Sequence, residues 1–143
     1  MARSPMTDET QLLAMPAADY MNEAQLAFFQ HRLERERETL AAALEETRAI
    51  IVDSRGDGDD ADLAANEETL SLLLRQADRE TRLLRKIEAA LKRIESGDYG
   101  FCDETGQPIG LKRLLLRPTA TLCLEAKERQ EQREHHYAKR RSA

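Results

Sequence analysis

Three groups of residues in this 143-residue chain have types and spacings that suit chemistry. The first is a crowd of carboxylates, Asp57, Asp59, Asp60 and Asp62. Residues 53–62 hold five Asp against one Arg, a net of −4. Such a group suits a divalent cation or a basic protein surface. An EF-hand is excluded: counting from Asp57, the fifth position is Ala61 and the sixth is Asp62, so the turn glycine is missing. Without a partner the same residues make a solvated acidic loop, with Asp62 as a helix N-cap. The second group is basic: Arg75, Arg79, Arg82, Arg85 and Lys86. Residues 79–95 hold six Lys or Arg against three Glu, a net of +3. Its plain reading is a solvated helix face paired to acids such as Glu88, each pair worth about 0.3–0.5 kcal/mol. The third is a pair of thiols, Cys102 and Cys123, which need not form a disulfide in a reducing compartment. Their plain reading is two packed thiols; a redox role requires exposure and a lowered pKa.

Other chemistry is poorly supported. There is no Ser/His/Asp set, glycine-rich phosphate loop or H-E-x-x-H motif, so an enzyme is the weakest class. The net charge is −5 and Trp is absent, which disfavours a general DNA-binding protein. Residues 111–143 hold nine Lys or Arg against four Glu, a net of +5. A nucleic-acid-binding ribbon using Lys112, Arg113 and Arg117 would lack aromatic residues for stacking. No transmembrane run and no basic-then-apolar leader are present, which points to a cytoplasmic protein.

The elements that must position these groups are helical. With 34% charged residues, only three Phe and three Tyr, and an apolar content dominated by Leu, Ala and Ile, the composition is that of long helices. Residues 1–19, with Pro5 and Pro16, read as a flexible N-terminus. Asn22 caps a helix, with Gln25 as the second half of a capping box. The helical pattern then runs to about Val52. Leu26, Leu33, Leu40 and Thr47 make one heptad row, and Phe29, Ala43 and Ile50 the companion row, with Glu36 intruding. Two glycines break the pattern between Ser54 and Asp60. A second helix starts near Asp62, with Leu63, Leu70, Ala77, Leu84 and Leu91 in one row and Leu73, Ile87 and Ile94 in the other. Asn66 and Glu80 are its polar intruders. Two heptad helices joined by a short link predict a long antiparallel coiled-coil hairpin. Gly97 supplies a left-handed stop. Residues 98–124 are turn-rich, and a charged helix closes the chain to about Arg141.

Several motifs, in order, carry a resemblance. They are Tyr20-Met21-Asn22-Glu23-Ala24-Gln25-Leu26-Ala27, Gly100-Phe101-Cys102, Glu104, Ile109-Gly110, Arg113-Leu114, Arg117-Pro118-Thr119-Ala120 and Leu122-Cys123. From about Asp19 to Arg133 the chain resembles the DksA family of transcription factors. The resemblance implies a mainly α fold: residues 20–32 in a globular part, a coiled-coil hairpin at 33–97 with its tip at 53–62, a degenerate zinc-finger-like region at 98–124, and a C-terminal helix and tail at 125–143. It implies a monomer that binds bacterial RNA polymerase through the secondary channel, with no direct sequence-specific DNA binding and no membrane. Open-complex stability at ribosomal RNA and amino-acid biosynthesis promoters would then change, together with ppGpp, in the stringent response. The alternative from the heptads alone is a dimeric coiled-coil adaptor.

By the same resemblance, Asp59, Asp62 and Ala64 match the functional tip residues, aligned back from Asn66-Glu67-Glu68. The family often has Pro-Val where this chain has Asp60-Ala61. Arg75, Gln76 and Arg79 match the polymerase rim contact. Leu83, Lys86, Arg117 and Lys127 match the ppGpp contacts, where Arg offers bidentate bonds to phosphate and Lys a point charge.

The family's zinc pattern is C-x2-C, seventeen residues, then C-x2-C. Here it reads Cys102-Asp103-Glu104-Thr105 and Cys123-Leu124-Glu125-Ala126, with the spacer Gly106–Leu122 intact. A structural zinc needs four donors, and Thr105 and Ala126 do not supply them. Asp98, Asp103, Glu104, His135 and His136 are the surrogate candidates, although His135 and His136 point about 100° apart on a helix. The expectation is a zinc-independent member with no tightly bound cofactor, in which Leu111, Leu114, Leu115, Leu116, Leu122 and Leu124 pack in place of the metal.

Overall fold

Long runs of Leu, Ala, Glu and Arg with no interior Gly or Pro propagate helix. The computed structural model describes residues 8–54 and 60–141, apart from the side chains of 60–65. The elements are α1 (Glu9–Ala14), a 3₁₀ turn (Ala17–Asp19), α2 (Glu23–Ser54), α3 (Asp60–Ser96), α4 (Leu111–Leu116) and α5 (Leu124–Arg141). Among the described residues the extended pairing is a single isolated antiparallel bridge, Phe101 to Pro108. The chain divides into two compact units, Arg32–Ala89 on one hand and Met1–His31 with Ala90–Ala143 on the other.

The Arg32–Ala89 unit is the antiparallel pairing of α2 with α3. Among the described residues, Leu33, Leu44, Ile51 and Ile87 are its buried apolar residues. The companion row on α2 differs from the heptad reading. Ala43 is half-buried and Ile50 is 46% exposed, whereas Leu44 and Ile51, one residue later, are buried. A helix of 3.6 residues per turn drifts by about 20° per heptad, so the buried stripe moves one position along. At the centre of the seam is a polar knot. Thr47 Oγ1 lies 2.8 Å from Glu80 Oε1 and 2.9 Å from the Ala43 carbonyl, and it accepts from Gln76 Nε2 at 3.4 Å. Thr47 and Glu80 are both buried. A partnered polar group on an apolar seam penalises slipped registers, since slippage would bury a carboxylate without a donor.

In the other unit, two corrections apply to the chain start. Residues 1–7 lie outside the described residues, but residues 8–19 are not the loose segment read from the sequence. Asp8 and Gln11 form a reciprocal capping box on α1, whose Leu12 is wholly buried, and α1 lies against α4. One buried leucine per turn is enough once a tertiary surface exists to receive it. The predicted box on α2 is also altered. Asn22 Oδ1 accepts from the Gln25 N–H at 2.9 Å as expected, but Gln25 Oε1 accepts from the Met21 N–H at 2.7 Å. Met21 has φ 59, which turns its N–H onto that side chain.

At the start of α3, the expected cap at Asp62 is displaced, because α3 begins at Asp60 and Asp62 is its third residue. Nothing in Asp60-Ala61 stops a helix, so it extends two residues further back. At the other end Gly97 adopts φ 84, and the Asp98 and Tyr99 N–H groups both return to the Arg93 carbonyl. Of the leucines expected to replace the metal, Leu114 is wholly buried and Leu111, Leu115 and Leu122 are half-buried. Leu116 and Leu124 are 87% and 59% exposed and take no part. Both sit at helix ends, where the backbone turns away from the core.

Thr47→Val should cost about 1–3 kcal/mol, because it strands a buried carboxylate. Thr47→Val with Glu80→Leu should recover most of that loss. Urea unfolding of the three proteins checks both expectations.

Candidate functional site

The turn-rich segment after α3 is organised as two knuckles. In the first, Phe101 and Pro108 face one another. The Cys102 N–H donates to the Gln107 carbonyl at 2.7 Å, and the Gly106 N–H returns to the Cys102 carbonyl at 2.8 Å. The second runs from the end of α4 into α5 and carries Cys123 and Ala126. The two are joined by the Asp103 N–H donating to the Thr121 carbonyl at 2.8 Å. Arg113 Nε, on α4, donates to the Leu122 carbonyl at 3.0 Å.

Three further side chains tie the knuckles to the unit, and sequence reasoning gave them no such role. The Tyr20 hydroxyl donates to the Gly100 carbonyl at 2.5 Å and accepts from the Gly110 N–H at 2.9 Å. Its ring meets Phe101 edge-on at 5.6 Å. Burial raises the Tyr20 pKa, against the lowering effect of its backbone bonds, so the phenol keeps its proton. Gly100 permits this closeness: a Cβ there would lie 2.7 Å from Met21 Sδ, and its φ is +88. Arg93 reaches the Phe101 carbonyl at 2.8 Å and pairs with Asp103. Tyr99 donates its hydroxyl to the Pro118 carbonyl at 2.7 Å and packs on Phe29, with ring centroids 5.6 Å apart. The available signal was the presence of Tyr20 and Gly100 within the resembling motifs; their contact across eighty residues had none.

Cys102 is 3% exposed and Cys123 is half-buried; both are free thiols. The Thr105 hydroxyl accepts from the Gln107 N–H at 3.2 Å and lies 3.9 Å from Cys123 Sγ. Burial pushes the Cys102 thiol up. The Thr105 hydroxyl and the backbone N–H groups of Cys123, Thr105 and Glu104 outweigh it and bring the pKa down to about 6. Donors aimed at sulfur favour the thiolate.

Of the remnant positions, Thr105 lies against Cys123, and the fourth, Ala126, is wholly buried and offers only a methyl group. Two thiols, a hydroxyl and a methyl do not make a four-donor zinc site. The surrogates do not complete it: among the described residues no three of His, Cys, Asp and Glu are grouped to hold a metal. Asp103 pairs with Arg93, Glu104 lies 3.6 Å from Arg133, and Asp98 accepts from Ser96. His135 and His136 are exposed on α5.

The other sequence-derived positions fall as follows. Asp59 lies outside the described residues. Asp62 and Ala64 are in the first turns of α3, and their side chains lie outside the described residues. Arg75, Gln76, Arg79, Leu83 and Lys86 are all exposed on α3, within the Arg32–Ala89 unit. Gln76 alone among them reaches into the seam, at Thr47. Arg117, exposed, ends α4, and Lys127, half-buried, donates to Gln130 at 3.4 Å on α5. Both belong to the other unit.

Comparison with known proteins adds the following. Residues 25–94 match the family profile described as DnaK suppressor protein DksA, N-terminal domain, and residues 97–132 that of the prokaryotic dksA/traR C4-type zinc finger. The chain is 44% identical over 116 residues to the RNA polymerase-binding transcription factor DksA of Caulobacter vibrioides, covering 80% of this chain and 82% of that one. It is 44% identical over 124 residues to the protein of that name from Escherichia coli strain K12, covering 86% and 82%. A solved structure of transcription factor DksA2 from Pseudomonas aeruginosa superposes with a TM-score of 0.84 at 55% identity, covering 90% of this chain and 100% of that one.

In the folded chain the Cys102 pKa falls from the ordinary 9.0 to about 6. The thiolate thus contributes stability that is complete above pH 9.0 and is lost as the pH falls through about 6. Thermal unfolding followed from pH 5.5 to 9 should show this rise on about that window. The rise should be absent in Cys102→Ala and displaced upward in Thr105→Val.

Proposed function

We propose, since the chain belongs to the DksA/TraR family, that it regulates transcription by binding bacterial RNA polymerase directly through the secondary channel. The observation that carries this reading is 44% identity across four-fifths of the chain to relatives named for polymerase binding. Those relatives are named for a regulatory contact and not for a reaction, in keeping with a non-enzymatic factor. No described helix is long and apolar enough to cross a membrane, and the proposed site of action is the cytoplasm. The factor acts as a monomer, because α2 and α3 already use their heptad seam on one another, as the Thr47–Glu80 contact attests. A dimeric adaptor would need that seam for a second chain.

In this reading the tip residues Asp59, Asp62 and Ala64 act beside the magnesium-dependent active site of the polymerase, where carboxylates compete for cations or for basic protein groups. Arg75, Gln76 and Arg79 contact the rim. Leu83, Lys86, Arg117 and Lys127 form the interface with polymerase that receives ppGpp, the charged residues meeting its phosphates. The outcome is altered open-complex stability at ribosomal RNA and amino-acid biosynthesis promoters. Structural zinc is dispensable in this reading, supported by direct hydrogen bonds from Tyr20, Arg93, Tyr99 and Arg113 to the Gly100, Phe101, Pro118 and Leu122 carbonyls around the remnant positions.

Transcription in vitro from a ribosomal RNA promoter tests the reading. Repression should appear with metal-free protein, deepen with ppGpp, and persist in a strong zinc chelator. Loss of repression in chelator would reject zinc independence, and no repression under any condition would reject the function. In a second test, Asp59→Asn with Asp62→Asn should leave polymerase affinity within about 2-fold, a change of at most ~0.4 kcal/mol, while abolishing the promoter effect. Repression at the parent level would exclude the tip assignment.

A further inference from the structure

We propose that the C-terminal part of α5 docks on the phosphate backbone of a DNA duplex, independently of base sequence, through a row formed by Arg129, Arg133, His136 and Arg140. The proposal goes beyond polymerase binding and does not depend on it.

The row follows from spacing. At 3.6 residues per turn these four positions fall within about 60° of one another around the helix axis, at steps of roughly 4.5–6 Å along it. Glu128, Glu131 and Glu134 recur at every third position and lie more than about 100° from the centre of that row. A helix that meets only solvent gains from opposite signs interleaved along one face. Here like charges are neighbours instead, at Glu128–Glu131, Glu131–Glu134 and Arg129–Arg133, and that segregation costs the isolated helix stability. The helix dipole accounts for the cations of the last turn, Lys139, Arg140 and Arg141. Its effect does not extend to Arg129 and Arg133, which stand in earlier turns.

The row is also accessible. α5 packs through Ala126, wholly buried, and Gln130, half-buried, whereas residues 131–141 are all exposed. Arg129 and Arg140 are exposed and pair with no acid among the described residues. Arg133 lies 3.6 Å from Glu104 with 68% of its side chain exposed. Residues 111–143 carry a net charge of +5, so the field around α5 attracts anions although the whole chain is at −5.

The chemistry of the row selects the partner. A protein interface is carried by buried apolar or aromatic anchors, and a membrane surface needs an apolar face. The exposed segment offers only Ala138 and Tyr137, whose ring lies under the Arg141 guanidinium at 5.2 Å. The same cover leaves no open ring face there for stacking the bases of a single strand. What remains is charge in a straight repeat, which suits a phosphate backbone, and arginine forks bond phosphate oxygens in pairs. The wide major groove of a B-form duplex admits a helix between its phosphate edges, whereas the narrow groove of A-form RNA does not.

Fluorescence anisotropy of two labelled DNA duplexes of unrelated sequence, titrated with the full-length chain, tests this. Both should bind alike at low salt. Three arginine–phosphate contacts should make the affinity fall about 40-fold between about 50 and 200 mM salt. Arg129→Gln with Arg140→Gln should keep its helicity by circular dichroism, bind both duplexes more weakly, and lose only about 3- to 4-fold over that range. Lys92→Gln with Lys112→Gln removes the same charge at exposed positions outside α5 and should retain the parent's salt dependence. The proposal is overturned if the parent chain binds neither duplex at low salt, or if the two variants respond to salt alike. It is overturned equally if poly-glutamate competes as well as unlabelled duplex at equal charge, which would assign the row to an acidic protein surface.

Discussion

The Tyr20 hydroxyl sits between the Gly100 carbonyl and the Gly110 N–H, and the first knuckle is closed by that pair of hydrogen bonds. Gly100 and Gly110 flank the first knuckle, so one phenol closes the loop that carries Cys102 and Thr105. A loop of that kind, with few apolar residues of its own, has no means of paying its ordering entropy. The closure fixes Phe101 against the Tyr20 ring, and Arg93 then reaches the Phe101 carbonyl from the end of α3. With the first knuckle in place, the Asp103 N–H meets Thr121 and aligns the second. The position of each thiol is a consequence of this chain of bonds.

The paired helices obey a different constraint. A single seam between two helices buries few side chains, so its stability is modest and its register is the quantity at risk. The Thr47–Glu80 knot addresses register at the expense of apolar area. It also leaves the outward faces of α3 free of structural duty. Arg75, Arg79, Leu83 and Lys86 are exposed there, so the seam places no demand on their type.

In the folded chain the two knuckles are joined by the Asp103 N–H on the Thr121 carbonyl. Direct hydrogen bonds from Tyr20, Tyr99 and Arg113 tie the backbone around them to the rest of the unit. What remains of the metal site is a chemical residue: two sulfurs, one of them biased toward the thiolate by N–H donors that lie beside it. Retention of those donors makes the pair distinctive, since a packed apolar thiol would have its pKa raised.

The sequence by itself determined the long helices, because the absence of Gly and Pro and the heptad rows are local properties. It also determined the stop at Gly97, the shortage of zinc donors and the family. The tertiary structure alone decided which positions the seam buries, since a helix of 3.6 residues per turn drifts off a strict heptad. Leu44 and Ile51 thus replaced Ala43 and Ile50. It decided that residues 9–14 are a helix, because a six-residue segment is stable only against a surface such as α4. It decided that Leu116 and Leu124 face outward. Above all it decided the environment of Cys102. A spacing of C-x2-T tells which donors are near in sequence, whereas the acidity of the thiol follows from N–H groups drawn from both knuckles, and only folding brings those together.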